Sequence, residues 1–144
     1  MATDRTAEVT WHGSLMDGSG TIEQTSSGAI GAQSVTWASR AEEPGGKTSP
    51  EELIAAAHAS CLSMALSHAL AQQGNPPEEL RTSATVPFEP GEGIRRIALA
   101  VRGRVTGVDD AGFRSAAEAA KENCPVSKAL ASVPEITLDA QLDE

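Results

Sequence analysis

Aromatic and basic side chains are scarce in this sequence of 144 residues, which contains no tyrosine, two tryptophans and two phenylalanines. Proteins that hold single-stranded nucleic acid stack its bases on aromatic rings, so this composition argues against that class of function. Lysine and arginine together number 11 against 20 acidic residues, which gives a net charge of −9. Such a charge repels phosphate groups, so neither nucleic acid nor an anionic membrane is expected as a partner.

Long uninterrupted apolar runs are also missing. We expect each apolar stretch to be too short or too interrupted to cross a bilayer. The first residues, MATDRTAEVTWHG, lack the apolar segment of a signal peptide. The sequence therefore predicts a single domain over residues 1–144 with a cytoplasmic location.

Cysteine occurs only twice, as Cys61 and Cys124. Two cysteines in a cytoplasmic protein are rarely a permanent disulfide, so they are either buried fillers or a redox pair. Together with His12, His58 and His68 they show no ligand spacing of a zinc site. No glycine-rich phosphate loop follows a strand. The sequence thus predicts neither a metal ion nor a nucleotide cofactor.

One long helix dominates the chain, in the stretch SPEELIAAAHASCLSMALSHAL. Ser49 is placed to be its N-cap, Pro50 its first residue, and Glu52 the second member of a capping box. The helix should end at Gly74, after roughly 24 residues or ~36 Å. Apolar or small residues occupy almost every face beyond Glu52, which predicts a helix buried on all sides and wrapped by the rest of the chain.

Strands and helices are segregated on either side of this helix. Alternating apolar and polar residues predict strands, and capping signals predict two further helices. The predicted strands are 7–12, 20–25, 30–38, 80–88, 94–105 and 135–142, and the further helices are 110–122 and 125–133. This arrangement predicts an α+β fold with a mainly antiparallel sheet.

The residues around each cysteine point to different reactivities. Cys61 lies in the middle of the long helix, where burial raises the pKa of a thiol, so a thiolate there would need a nearby cation. A buried cysteine of this kind is usually an inert small side chain. Cys124 precedes Pro125 at the start of a helix, where backbone N–H groups stabilise a thiolate. Local reasoning alone therefore favours Cys124 as the attacking thiol and leaves Cys61 as a core residue.

Two motifs resemble the family of osmotically inducible protein C and organic hydroperoxide resistance protein (OsmC/Ohr). They are TSPEELIAAAHASCLSMAL and NCPVSKAL, and the flanking segments VTWHG, TWASR and EITLDAQL are similar as well, so the resemblance covers essentially the whole chain. It implies an α+β fold in which a mainly antiparallel sheet is wrapped around a long buried central helix. It also implies an intertwined homodimer with active sites at the interface.

The resemblance further implies a thiol-dependent peroxidase in oxidative or osmotic stress, with organic hydroperoxides as its substrates and hydrogen peroxide as a further candidate substrate. Cys61 matches the family's peroxidatic cysteine and Cys124 its resolving cysteine. Arg40 matches the arginine that activates the thiolate in the OsmC branch, and Glu51 matches the acid that orients this arginine. The Ohr branch has an arginine near the N-terminal hairpin, where this sequence has Asp17–Gly20 instead.

In the implied reaction, Cys61 becomes a sulfenic acid and then forms a disulfide with Cys124. An external dithiol, in this family typically protein-bound lipoamide, reduces the disulfide. Glu51 and Cys61 lie ten residues apart on one helix, about 15 Å along its axis, so one Arg40 reaches both more easily across two subunits. Two other functions are compatible with the same sequence. One is a non-enzymatic redox sensor, and the other is a structural stress protein that catalyses no reaction.

Overall fold

The computed structural model describes residues 2–143, which form two compact units that divide between Leu53 and Ile54. Each unit is described by itself, and one helix runs through the division. The predicted α+β class is confirmed, with two three-stranded sheets and a long helix. That the chain is a single domain stays a prediction.

The first unit contains a meander of three antiparallel strands. They are β1 (Ala7–His12), β2 (Ser19–Thr25) and β3 (Gly31–Val35), and β2 lies in the middle. Thr21 of β2 lies opposite Thr10 of β1 and Ser34 of β3. Every residue of β1 is exposed, including Val9 with 59% of its surface. This sheet therefore leaves apolar side chains in contact with solvent.

The third strand ends earlier than predicted, because a short helix begins at residue 37. Thr36 is the N-cap of α1 (Trp37–Ala41), and its hydroxyl accepts a hydrogen bond from the Ser39 N–H at 3.0 Å. The Ser39 hydroxyl accepts in turn from the Thr36 N–H at 3.0 Å, which completes a capping box. The prediction of a strand over 30–38 is wrong at its end, because these caps satisfy the backbone in helical form.

The long helix α2 (Pro50–Gln72) begins as predicted. The Ser49 hydroxyl accepts from the Glu52 N–H at 3.1 Å, as expected of an N-cap. The Glu52 carboxylate accepts from the Thr48 hydroxyl at 2.8 Å and so ties the preceding loop to the first turn. At the other end, Gly74 has a φ of +86°, a left-handed conformation that stops a helix.

Burial of α2 in this single chain follows one stripe. Leu62, Leu66 and Leu70 are fully buried at every fourth position, whereas 72% of Met64 is exposed. The expected burial on all sides is therefore not found within one chain. The sequence does not reveal this buried stripe, because the small alanine and serine side chains on every face of the helix give almost no amphipathic pattern.

The same helix has 23 residues and contains an 18-residue stretch with a mean hydropathy of 1.4, which would allow it to cross a bilayer by length and composition alone. This differs from the expectation that every apolar run is too interrupted. Within the second unit, however, Leu62, Leu66 and Leu70 belong to a hydrophobic cluster with the sheet, as in the core helix of a globular protein.

The second unit has a mixed sheet in the order β4-β5-β6. Its strands are β4 (Glu79–Thr85), β5 (Arg96–Arg104) and β6 (Glu135–Leu142). The β4–β5 pair is antiparallel, whereas β5 and β6 are parallel. Parallel neighbours need a crossover connection, and the helices α3 (Asp110–Asn123) and α4 (Pro125–Ala129) supply it.

The core of the second unit lies under the central strand. Ile97, Leu99 and Val101 are buried on one face of β5, as the alternation predicted. Phe113 of α3 is fully buried and packs in the same cluster. A methyl group on Gly103 would lie 2.6 Å from the Phe113 ring, so only glycine fits beneath this ring without displacement.

Gly103→Ala should lower the free energy of unfolding by about 1–3 kcal/mol, because the added methyl forces the Phe113 ring out of its packed position. Denaturant titration measures the change. Gly31→Ala is the matched control, since the nearest atom to a methyl there is 3.7 Å away. Equal stability of Gly103→Ala and the parent would contradict this close packing.

Candidate functional site

Cys124 lies at the junction between α3 and α4. Its N–H donates to the Ala120 carbonyl at 2.8 Å and completes the last turn of α3. Its carbonyl accepts from the Lys128 N–H at 3.0 Å in α4. Pro125 occupies the first helical position of α4, where its missing N–H removes no helical hydrogen bond. The predicted place of Cys124 at the N-cap is confirmed.

The side chains of Cys61 and Cys124 form a hydrogen bond with each other. Both are free thiols, and Cys61 in α2 is partly exposed whereas Cys124 is 0% exposed. The fold therefore brings together the two cysteines that the motifs singled out. Burial then distinguishes them, since the Cys61 residue keeps part of its surface in contact with solvent and the Cys124 residue keeps none.

The environments of the two thiols shift their pKa values in opposite directions. Burial, followed by the hydrogen bond to Cys124, raises the pKa of Cys61 above its usual value, against a weaker effect of the Val126 backbone. Burial also acts to raise the pKa of Cys124, but hydrogen bonds from Cys61, Ser127 and the Val126 backbone together lower it. Within this chain Cys124 is thus the more acidic thiol, as local reasoning from the sequence expected.

A buried histidine stands beside this pair. His58 is fully buried, and its Nε2 lies 2.7 Å from the Ser127 hydroxyl oxygen. Its Nδ1 has no hydrogen-bond partner within residues 2–143. Burial lowers the pKa of His58, so the ring is neutral at pH 7. The sequence analysis excludes His58 from a zinc site and gives it no other role, although its spacing of three residues from Cys61 places both on neighbouring helix positions.

In the first unit, Arg40 and Glu51 form a two-pronged ion pair. Arg40 lies in the last turn of α1 and Glu51 in the first turn of α2. The Arg40 Nε donates to the two Glu51 oxygens at 3.1 and 3.2 Å, and Nη2 donates to Oε2 at 2.9 Å. Glu51 is only 5% exposed, whereas the Arg40 side chain keeps 34% exposure. The pairing that the motifs implied is present, and the role of Arg40 in activation stays a prediction.

Other chemistry finds little support among residues 2–143. No group of three histidine, cysteine or acidic side chains is arranged there to hold a metal ion. The hydroxyls of Ser60 and Ser63 donate to helix carbonyls at 2.7 and 2.8 Å, as serines inside helices commonly do. The cysteine pair and the Arg40–Glu51 pair are therefore the candidate reactive groups.

Comparison with known proteins gives a full-length match. The model of the family described as OsmC-like protein matches residues 43–139. The protein named Peroxiredoxin OsmC of Escherichia coli strain K12 is 40% identical over 145 residues, which cover 99% of both chains. The matched region contains both cysteines and Glu51, and the full-length relative covers Arg40 as well.

Two solved structures share the fold at 25% identity and a TM-score of 0.65. One is an organic hydroperoxide resistance protein OsmC of Legionella pneumophila, with 94% of this chain and 96% of that chain covered. The other is the organic hydroperoxide resistance protein OhrB of Bacillus subtilis, with 96% and 98% covered. Family model, full-length relative and solved structures agree, and the chain belongs to the OsmC-like protein family.

Proposed function

We propose that this protein is a cysteine-based peroxidase that reduces organic hydroperoxides in defence against oxidative or osmotic stress. The observation that carries the proposal is the contact between a partly exposed Cys61 and a fully buried Cys124. One relative is named a peroxiredoxin and two structural neighbours are named organic hydroperoxide resistance proteins, which supports the same class of substrate.

Access assigns the two sulfur atoms to different steps. A hydroperoxide must reach the sulfur that it oxidises, which favours Cys61 over the buried Cys124. Cys61 nevertheless needs help, because burial and the Cys124 hydrogen bond raise its pKa and so disfavour the thiolate. A cation near its sulfur would offset this effect.

Arg40 is our candidate for that cation. Its guanidinium is held by Glu51 through three N–H···O contacts of 2.9 to 3.2 Å, which fix its plane. A guanidinium has five N–H donors, so the same group is able to hold a carboxylate and to donate to a thiolate. Lysine lacks this planar fork and would supply only the charge.

The reaction proceeds in three balanced steps. The Cys61 thiolate attacks the outer oxygen of ROOH, the O–O bond breaks, and the leaving alkoxide takes a proton to become an alcohol. Cys124 then attacks the sulfur of the Cys61 sulfenic acid, so that a disulfide forms and water leaves. An external dithiol, such as protein-bound lipoamide, reduces the disulfide by exchange and becomes oxidised itself.

We further propose a homodimer with shared active sites. In the single chain, Met64 of α2 is 72% exposed, and Val9 and Trp11, two positions apart on β1, are exposed too, so these apolar side chains are available for contact with a partner subunit. Glu51 and Cys61 are ten residues apart on one helix, about 15 Å along its axis. An Arg40–Glu51 pair from one subunit would reach the Cys61 of the other.

Cys61→Ser should abolish peroxide reduction, because a hydroxyl supplies no thiolate. Cys124→Ser should allow one oxidation per site and then stop at the Cys61 sulfenic acid. Because Cys124 raises the pKa of Cys61, its removal should also shift the pH profile of this first oxidation to lower pH. Peroxide consumption with a dithiol, and mass spectrometry of the oxidised protein, measure these outcomes.

A redox sensor would form the disulfide without sustained turnover, and a structural protein would consume no peroxide at all. Continued turnover by Cys61→Ser with a dithiol would reverse the assignment of the two cysteines.

Arg40→Ala should raise the pKa of Cys61 and slow the peroxide step while the fold is kept. Arg40→Lys should recover only part of the rate, since the charge returns without the planar fork. Stopped-flow kinetics of Cys61 oxidation measure both. Arg81→Ala is the matched control, because it also removes an arginine paired with a carboxylate, Asp143 at 2.7 Å. If both Arg40 variants react as fast as the parent, Arg40 is not the activating cation.

Mixed dimers test the shared site. A Cys61→Ser chain and an Arg40→Ala/Glu51→Ala chain should each be inactive or slow. When they are unfolded and refolded together, about half of the dimers are mixed and each contains one complete site, so about a quarter of the parental activity should return. A mixture no more active than its parents, or a fully active monomer in sedimentation, would exclude shared sites.

A further inference from the structure

We propose that His58 is a positioning residue for the resolving cysteine: its Nε2–H donates to the Ser127 oxygen, and the Ser127 hydroxyl then donates to the Cys124 sulfur. This chain of hydrogen bonds is a property of the folded protein, and only its role in disulfide formation rests on the proposed peroxidase function.

The contacts form a continuous path through the core of the second unit. His58 Nε2 lies 2.7 Å from Ser127 Oγ, a distance at which the two atoms share a hydrogen bond. Ser127 is three residues beyond Cys124, the N-cap residue of α4, so the two side chains face each other across the first turn of this helix. A hydrogen bond from the Ser127 hydroxyl contributes to the lowered pKa of Cys124. His58 and Cys124 are fully buried and Ser127 is 9% exposed, so water competes little for these bonds.

The unpartnered Nδ1 of His58 determines which way the protons point. The ring is neutral and carries one N–H, on Nδ1 or on Nε2. Nδ1 has no partner within residues 2–143, and a buried N–H without an acceptor is the costlier of the two unsatisfied states. The proton is therefore on Nε2, which donates to Ser127 Oγ. The Ser127 hydroxyl has a single proton, which is then available for Cys124.

This direction favours the reactive form of Cys124. A hydroxyl that donates to sulfur stabilises the thiolate, whereas a hydroxyl that donates to the histidine would leave the sulfur without this bond. The thiolate attacks the sulfur of the Cys61 sulfenic acid, the S–S bond forms, and the S–O bond breaks. The leaving hydroxide takes up the proton that Cys124 lost, so that thiol and sulfenic acid give disulfide and water.

The charged groups near Ser127 are unchanged when His58 or Ser127 is substituted. Lys121, Glu122 and Lys128 line a cavity beside Ser127, and Cys61 contacts the Cys124 sulfur. A change that follows substitution of His58 therefore reports on the hydrogen bonds and not on a changed surface charge.

The tautomer is tested first on the unaltered, reduced protein. A two-bond proton–nitrogen spectrum of the histidine rings separates the Nε2–H form from the Nδ1–H form, and loss of one signal set in His58→Gln assigns His58. We expect the Nε2–H tautomer. An Nδ1–H tautomer, or a charged ring at pH 7, would overturn the proposal.

The effect on Cys124 is tested in a Cys61→Ser background, in which Cys124 is the one remaining thiol. Its pKa is read from thiolate absorbance, which does not depend on access of a reagent. His58→Leu and Ser127→Ala should each raise this pKa by about one unit, which is about tenfold less thiolate at neutral pH. His58→Gln and Ser127→Thr keep a donor in place and should restore most of the shift. An unchanged pKa in both His58→Leu and Ser127→Ala would overturn the proposal.

The same substitutions with both cysteines present report on the chemistry. After one equivalent of peroxide, disulfide formation should be about tenfold slower at neutral pH in Ser127→Ala and should approach the parental rate as the pH rises above the shifted pKa. A packing defect would slow it equally at every pH, and that result would overturn the role in resolution. A parent that consumes no peroxide while the Cys124 pKa still responds to His58 would exclude the peroxidase function and leave the hydrogen-bond chain supported.

Discussion

The contact between two sulfur atoms sets the constraint that the rest of the second unit satisfies. One sulfur is on a long helix and the other is at the junction of two helices, so three elements must be held in register for the atoms to meet. Leu62, Leu66 and Leu70 anchor the long helix in the core, and Phe113 anchors the helix that leads to Cys124. The packing of the hydrophobic core in this unit therefore also fixes the positions of Cys61 and Cys124.

The two cysteines differ in the pKa of the thiol and in exposure to solvent, and neither combines a low pKa with exposure. The more acidic one is sealed from solvent, and the accessible one is held as a thiol by the same hydrogen bond. Neither is fully suited to attack a peroxide alone. Under the proposed function, a cation must offset the raised pKa of Cys61, and the Arg40 guanidinium that Glu51 holds at 2.9 Å is the candidate.

Alternation and caps predicted most of the fold, because both are local signals. The strands 7–12 and 135–142 are predicted to the residue, and α3 begins at the predicted residue 110, with Asp109 as its N-cap. The short helix after Thr36 was missed because β-branched and aromatic residues there also fit a strand. The parallel pairing of β5 with β6 is a long-range choice that no local pattern records.

The candidate site likewise contains residues that the sequence identifies and a residue that only long-range contacts reveal. The family resemblance points to Glu51, Cys61 and Cys124 through the two motifs, and to Arg40 through the flanking segment TWASR. Local reasoning alone favours Cys124 and leaves Cys61 as a core residue. The sequence gives His58 no role because its partner, Ser127, is 69 positions away. Only the fold places a polar side chain against that ring, and sequence spacing cannot supply such a contact.

The parallel pairing of β5 with β6 also bears on the order of folding. Parallel strands join only after their whole crossover has been arranged, and such distant contacts form slowly because the chain must lose much freedom before it gains them. Cys124 lies inside this crossover. The two thiols therefore meet late, when the sheet has closed, and a newly made chain exposed to oxidant has little opportunity to lock them together before its core exists.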